Sequence, residues 1–269
     1  MGTPQNRPLA VVTGASSGIG RELAGRFAEG GFDVLVAAED DRITSIAHFL
    51  VQHGIQAIAL QADLATFAGV EQLCQAIRST GRVPEALAIN AGIGVSGDFA
   101  RDNDLAAELK LINLNIAGAV HLAKRVLPDM VAAGRGGVLF TSSIAATAPG
   151  PYHATYAASK AFLLSFSEAL RYELRDTGVT VTALMPGPTE TEFFERAGML
   201  DTKLADVKKD DPADVAREGF EALMAGKDHV VAGSMKNRVQ VAASRVMPET
   251  AKAAAQARQT EPGSGSQAS

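Results

Sequence analysis

The chain has 269 residues, 46% of them hydrophobic and 20% charged, which is enough apolar material to build the core of an ordinary globular α/β domain. Its net charge is −5 and no basic cluster is longer than Lys208–Lys209, so nucleic acid finds no electrostatic footprint. No apolar run approaches the length of a membrane span, and the opening MGTPQNRPLA has no charged-then-apolar leader. Cys74 is the only cysteine, which rules out an intrachain disulfide. With Val70, Leu73 and Ile77 at helical spacing around it, Cys74 reads as a packing residue rather than a reactive one. The expectation is a cytoplasmic protein without a metal, because His48, His53, His121, His153 and His229 show no ligand spacing.

In chain order, short β-rich runs recur at 9–14, 33–38, 56–61, 85–90, 137–143 and 179–185, with a weaker one at 229–233. Amphipathic stretches such as 19–30 and 68–80 lie between them. Strands alternating with helices imply right-handed βαβ units and a doubly wound, Rossmann-type parallel sheet of about seven strands. Most of the strand runs are continuously apolar, as expected of strands covered on both faces. Residues 114–134 and 155–178 read as two long helices, and 237–258 as a helix interrupted near Pro248. One domain over 1–258 is expected, followed by a Pro/Gly/Ser/Gln-rich tail at 259–269 whose composition predicts disorder.

Between the first strand and the first helix stands TGASSGIG, which places Gly14, Gly18 and Gly20 around Ser16, Ser17 and Ile19. Glycines there let backbone N–H groups approach a pyrophosphate, and the helix N-terminus adds favourable partial charge. A plain glycine-rich turn is the rival. Further on, Tyr156 and Lys160 lie four residues apart, on one face of a helix. Moving a tyrosine pKa from ~10 to ~7 needs roughly 4 kcal/mol of preference for phenolate. A lysine charge ~4 Å away supplies about that much at an effective dielectric near 20. Ser143, thirteen residues before Tyr156, has a neutral hydroxyl that can donate to a developing alkoxide. A packed tyrosine beside a surface lysine is the bland alternative.

TGASSGIG (13–20), NAG (Asn90, Ala91, Gly92), Ser142–Ser143, YAASK (156–160) and PGPTET (186–191) follow one another in the order of a known family. Across about residues 8–235 the chain resembles the short-chain dehydrogenases/reductases, with Ile89 where a second asparagine is frequent. The resemblance implies hydride transfer between a nicotinamide cofactor and a carbonyl/secondary alcohol pair, with Tyr156 as general acid/base. It implies that Lys160 lowers the Tyr156 pKa and binds ribose, that Ser143 holds the substrate oxygen, and that Asn115 supports a proton relay from the lysine; Asn113 is the rival for that last role. Asp63 and Leu64 would lie near the adenine. Asp63 also reads as an ordinary helix cap. Pro186, Gly187, Thr189 and Thr191 would border the nicotinamide, and Asn90 would brace the sheet beside it. The family's pairing of two long helices implies a homodimer or homotetramer.

Cofactor choice rests on the end of the second strand. Glu39 lies 39 − 20 = 19 residues beyond Gly20, close to the ~20 expected of an acidic residue that binds an NAD ribose. Glu39, Asp40 and Asp41 form an acidic run that disfavours a 2′-phosphate, although Arg42 follows it and Ala38 occupies the usual NAD-selecting place. NAD is therefore favoured over NADP, with helix capping as the rival use of these carboxylates. Residues 191–204 read as a lid in which Phe193, Phe194 and Met199 either shape the substrate site or pack as core. His153 either lines the pocket mouth or is a plain loop histidine. Two other classes, a non-catalytic dinucleotide-binding regulator and a nucleotide-binding methyltransferase, offer no use for the tyrosine–lysine pair.

Overall fold

A computed structural model describes residues 7–244 and 246–266. Seven parallel strands form one sheet: β1 (Leu9–Thr13), β2 (Asp33–Ala38), β3 (Ala57–Gln61), β4 (Ala86–Ile89), β5 (Gly136–Thr141), β6 (Val179–Pro186) and β7 (His229–Ala232). Their spatial order is β3-β2-β1-β4-β5-β6-β7, so the winding direction reverses between β1 and β4. In such sheets ligands bind at the carboxyl ends of the strands on either side of that reversal. The helices are α1 (Gly18–Glu29), α2 (Arg42–Leu50), α3 (Phe67–Ser79), α4 (Leu105–Ile112), α5 (Ala119–Ala133), α6 (Ala154–Glu173), α7 (Phe193–Arg196), α8 (Lys203–Asp206), α9 (Pro212–Met224), α10 (Met235–Ser244) and α11 (Glu249–Thr260).

The sheet separates two apolar cores. Leu9 and Val11 of β1 pack with α3 and α5 through Leu73, Leu122 and Met130. Ala10 and Val12 pack with α1 and α9 through Leu23, Phe27 and Val215. Successive strand residues point to opposite faces, so a strand covered on both sides reads as an unbroken apolar run. β3 lies at an edge, and Ile58 there is exposed.

The sequence places one helix over 114–134, but the structure divides this region. Residues Asn113–Gly118 form a wide π-turn between α4 and α5. It passes so close to the Leu64 carbonyl that a Cβ on Gly118 would stand 2.3 Å from that oxygen. The extra residue in the turn leaves no mark on an apolar pattern whose period barely changes. Pro248 separates α10 from α11, as the sequence predicts.

The disorder expected over 259–269 does not hold for its described part, 259–266; Gln267, Ala268 and Ser269 lie outside the described residues. Thr260 is fully buried, and its hydroxyl donates to the Pro151 carbonyl at 2.8 Å. Gly263 N–H donates to the Asp201 carboxylate at 2.8 Å, and Ser266 N–H to that of Asp206 at 2.7 Å. Composition predicts too little apolar burial to order this segment. Carboxylates from the 201–206 segment supply directed acceptors instead.

Candidate active site

The turn after β1 brings the first wall of the site into place. Gly14 has φ +64°, and a Cβ on Gly20 would stand 2.1 Å from the Gly14 carbonyl oxygen. Only glycine permits this tight passage from strand to helix. Asn90, at the end of β4, donates to the carbonyls of Thr13 and Gly14 at 3.1 and 3.4 Å and accepts from the Thr141 hydroxyl at 3.0 Å. It ties three strand ends together.

A cavity of about 500 Å³ opens above these strand ends. Gly14, Ser16, Ser17, Gly18, Ile19 and Gly20 line it together with Glu39, Asp63, Leu64, Asn90, Ala91 and Gly92. Ser143, Tyr156, Lys160, Pro186, Gly187, Thr189 and Thr191 line the same space. Every cofactor-side residue singled out in the sequence therefore borders one cavity. Asn115 stands behind the wall, fully buried. Its side chain accepts from Ile93 N–H, donates to Ile93 O (both 2.9 Å) and donates to the Ser159 hydroxyl at 3.1 Å. Asp63 accepts from Ala65 N–H at 2.9 Å, whereas the cap of α3 is Thr66.

Tyr156 and Lys160 share one face of α6, with the Lys160 Nζ 5.7 Å from the tyrosine ring centre. That ammonium donates to the Thr141 carbonyl at 2.8 Å rather than to the phenol. Burial pushes Tyr156 up to about 12, an effect the Ser143 hydroxyl opposes, and burial lowers Lys160 to about 8. The sequence predicts the opposite direction for the tyrosine. In the structure the Lys160 ammonium is directed at the Thr141 carbonyl, and desolvation dominates at the phenol. Ser143 Oγ accepts from Ala145 N–H at 3.1 Å.

At the corner to which the sequence assigns cofactor choice, Glu39 and Asp40 both border the cavity but face different partners. The Glu39 carboxylate is exposed and paired with Lys110 of α4 at 2.9 Å. Asp40 is the acidic group that meets the glycine turn, accepting from the Ser16 hydroxyl at 2.7 Å. The neighbouring Arg42 guanidinium holds the Asp40 carboxyl below the usual carboxylate range. Arg42 is itself clasped by Asp40 at 3.0 Å and by Glu192 at 2.7 Å. Spacing from the glycine turn identifies the acidic run but not which member turns inward. Lys110 and Glu192 are too distant in sequence to be paired from it.

Over the other end of the cavity, the 191–204 segment folds as α7, a turn and the start of α8. Phe194, Ala197 and Met199 form a small apolar cluster, against which Phe193 packs. The Phe193 ring reaches Tyr156, with 5.1 Å between ring centres. The three apolar side chains thus serve as both packing and cavity wall. Gln256 and Gln259 of α11 also line the cavity, and no motif in the sequence signals them. His153 lines it too and is buried, which removes the plain-loop alternative. Among the described residues no acidic, cysteine and histidine cluster could hold a metal, and no helix is long and apolar enough to cross a membrane.

Known proteins share this fold. Residues 8–199 match the family described as short chain dehydrogenase. Sulfoacetaldehyde reductase 2 of Chromohalobacter salexigens is 35% identical over 69% of this chain and 74% of its own length. A short-chain dehydrogenase from Sphingobium yanoikuyae, solved in complex with NADPH, superposes with a TM-score of 0.78 at 31% identity, covering 83% of this chain and 87% of that one. A Burkholderia phymatum short chain dehydrogenase/reductase in complex with NAD shares the fold, with a TM-score of 0.79 at 22% identity over 91% and 94% of the two chains. A family match over most of the sheet, the glycine turn and the Ser143–Tyr156–Lys160 group in one cavity agree: the chain belongs to the short-chain dehydrogenase/reductase family of oxidoreductases.

Proposed function

We propose that the chain interconverts a carbonyl compound and its secondary or primary alcohol, with Tyr156 carrying the proton. The observation that carries this is the convergence of Ser143, Tyr156 and Lys160 on the cavity that the glycine turn also borders. A nicotinamide dinucleotide bound there supplies or accepts the hydride. Gly14, Gly18 and Gly20 would admit its pyrophosphate, and Pro186, Gly187, Thr189 and Thr191 would border its nicotinamide end. Ser143 orients the substrate oxygen. The Tyr156 phenol is protonated at neutral pH, the form that donates to a substrate oxygen as a carbonyl is reduced, and the reverse reaction needs the phenolate. Lys160 sits where it can bind ribose and replenish the proton, and Asn115 anchors the loop at Ile93 beside it.

NAD is favoured over NADP. Two exposed or half-exposed carboxylates, Glu39 and Asp40, border the cavity, and Arg42, the cation nearest to them in sequence, is taken up by Asp40 and Glu192. The protein acts in the cytoplasm on a small molecule and assembles as a homodimer or homotetramer. A panel of aldehydes and ketones, including a small sulfonated aldehyde prompted by the reductase relative, tests the reading with NADH and NADPH. Turnover with NADH at the higher kcat/KM is expected. Better use of NADPH refutes the cofactor preference. Tight dinucleotide binding without turnover on any member favours a non-catalytic regulator.

A further inference from the structure

The cavity is charged unevenly. The carboxylates that border it are those of Glu39 and Asp40 after β2, Asp63 after β3, and Glu192, which is held on Arg42 beside them. β2 and β3 lie towards one edge of the sheet and β7 at the other. Beyond β7 the cavity is lined instead by Lys208 and Lys236, both exposed. This is the end beside Ser143. α10 follows β7 and packs on the turn Ile144–Thr147, with Val241 clustered against Ile144 and Met185. A Cβ on Gly187 would stand 2.3 Å from the Asn237 amide nitrogen. Lys236 and Gln240 lie one turn apart on α10, and both line the cavity. The Asp210 carboxylate accepts from Ser234 N–H at 3.0 Å and from the Asn237 amide at 2.7 Å, which pins the segment that carries Lys208 to the start of α10. The acidic neighbours of Lys208 in sequence are thereby occupied, since Asp206 accepts from Ser266 at 2.7 Å. Other cations of these segments are paired: Lys209 with Glu190 at 4.0 Å, Arg238 with Glu218 at 3.0 Å, and Arg196 with Glu192. Lys208 and Lys236 have no carboxylate within ion-pair distance among the described residues. In a chain of net charge −5, two unpaired cations at one end of a concave site make that end attractive to an anion.

We propose that the substrate carries an oxyanion, a carboxylate or a sulfonate, on the side away from its reacting carbonyl, and that Lys208 and Lys236 receive it. The inference rests on the oxidoreductase reading above. The reacting oxygen belongs between Tyr156 and Ser143, and α10 leads from the turn after Ser143 back to Lys236. Phe194 and Met199 wall the cavity on the lid side and cover the carbon chain of such a substrate. Each ammonium offers several N–H donors on a flexible stem, which suits oxygens whose distance from the carbonyl varies. The amides of Gln240, Gln256 and Gln259 line the same cavity and add uncharged donors.

Matched ketones test this. Levulinate and acetonylsulfonate carry the anion, and methyl levulinate and methylsulfonylacetone are their neutral counterparts. In the unaltered protein kcat/KM should favour an anion over its counterpart, and a preference for only one of the two identifies the oxyanion. The ratio should shrink as NaCl is raised from ~50 to ~500 mM. Lys208→Met and Lys236→Met should each lower it about threefold, and the double variant about tenfold, mainly through KM. Lys236→Arg, which keeps the charge, should retain most of it. The same ketones titrated calorimetrically into protein saturated with oxidised cofactor cannot be reduced, and should show the same preference. Equal kcat/KM for both anions and their counterparts in the unaltered protein, or a ratio unchanged in the double variant, overturns the proposal. Weakened NADH affinity in the double variant with an unchanged ratio would place the lysines on the cofactor instead. Calorimetric preference that depends on the lysines, without reduction of any ketone, would leave the recognition standing and count against the oxidoreductase reading.

Discussion

At the scale of single residues, the proposed proton carrier is the group most directly tested by one substitution. Tyr156→Phe removes only a hydroxyl from a helix that packs on β6 and β5. Turnover should fall by about 100- to 10,000-fold while dinucleotide affinity, measured by fluorescence titration, stays near that of the unaltered protein. His153 yields a second expectation. A free histidine titrates near 6.5, and burial holds His153 at about 4. Between those values the unfolded chain binds a proton that the folded chain refuses. Stability from this residue is therefore complete above about 6.5, declines as pH falls, and levels off below about 4, a loss of about 3 kcal/mol. Urea midpoints taken near pH 7 and near pH 4 should consequently differ less in His153→Leu than in the unaltered chain. Tyr156, Lys160 and Ser143 were legible in the sequence because their spacing is local and chemically unusual. Asp40 was not: at the end of a strand two adjacent carboxylates face different ways, and their orientation here accompanies a pairing with Lys110 seventy-one residues away.

At the scale of elements, the segments that close the cavity are tied to one another rather than to the sheet alone. Residues 261–266 are fastened to 201–206 by Asp201 and Asp206, whose own chain continues from the apolar cluster of Phe194 and Met199. Asp201→Ala with Asp206→Ala removes the acceptors without touching the cavity wall. Amide hydrogen exchange over 201–206 and 261–266 should accelerate together, while β1 exchanges as before. An unaccelerated 261–266 would show that Thr260 and the Gly265 N–H bond to the Asp201 carbonyl suffice. Strands and most helices were legible from apolar runs and amphipathic spacing. The π-turn over 113–118 and the docking of 259–266 were not, because one depends on a single extra residue and the other on hydrogen bonds between distant segments.

At the scale of the whole molecule, α4 carries Leu105, Leu109 and Ile112 as an exposed apolar stripe and packs against α6, where Phe162 and Tyr172 are also exposed. Apolar surface of this kind, beside α6, one of the two long helices (114–134 and 155–178) through which the family resemblance implies pairing, fits a partner subunit. Leu109→Glu should lower the mass measured by light scattering towards that of one chain of 27.9 kDa, with far-ultraviolet circular dichroism unchanged. An unaltered mass would move the interface elsewhere. The fold class was legible because alternating elements admit few topologies; the exposed stripe on α4 was not, since exposure is a property of the folded chain.

The two-sided sheet makes the chain far less tolerant of indels than of substitutions. Leu9 and Val11 serve one core and Ala10 and Val12 the other. Removing one codon within β1 would exchange the membership of both cores at once. With Ala10 removed, Val11 would be driven into space shaped for alanine, and Gly14 would be drawn away from the close approach to Ala91 that its missing side chain permits. A substitution at any one of these positions disturbs a single core by the volume it changes. Changes of length should be tolerated only in exposed connections such as 99–102, and the interval from Leu9 to Gly20 is a ruler whose divisions cannot be respaced.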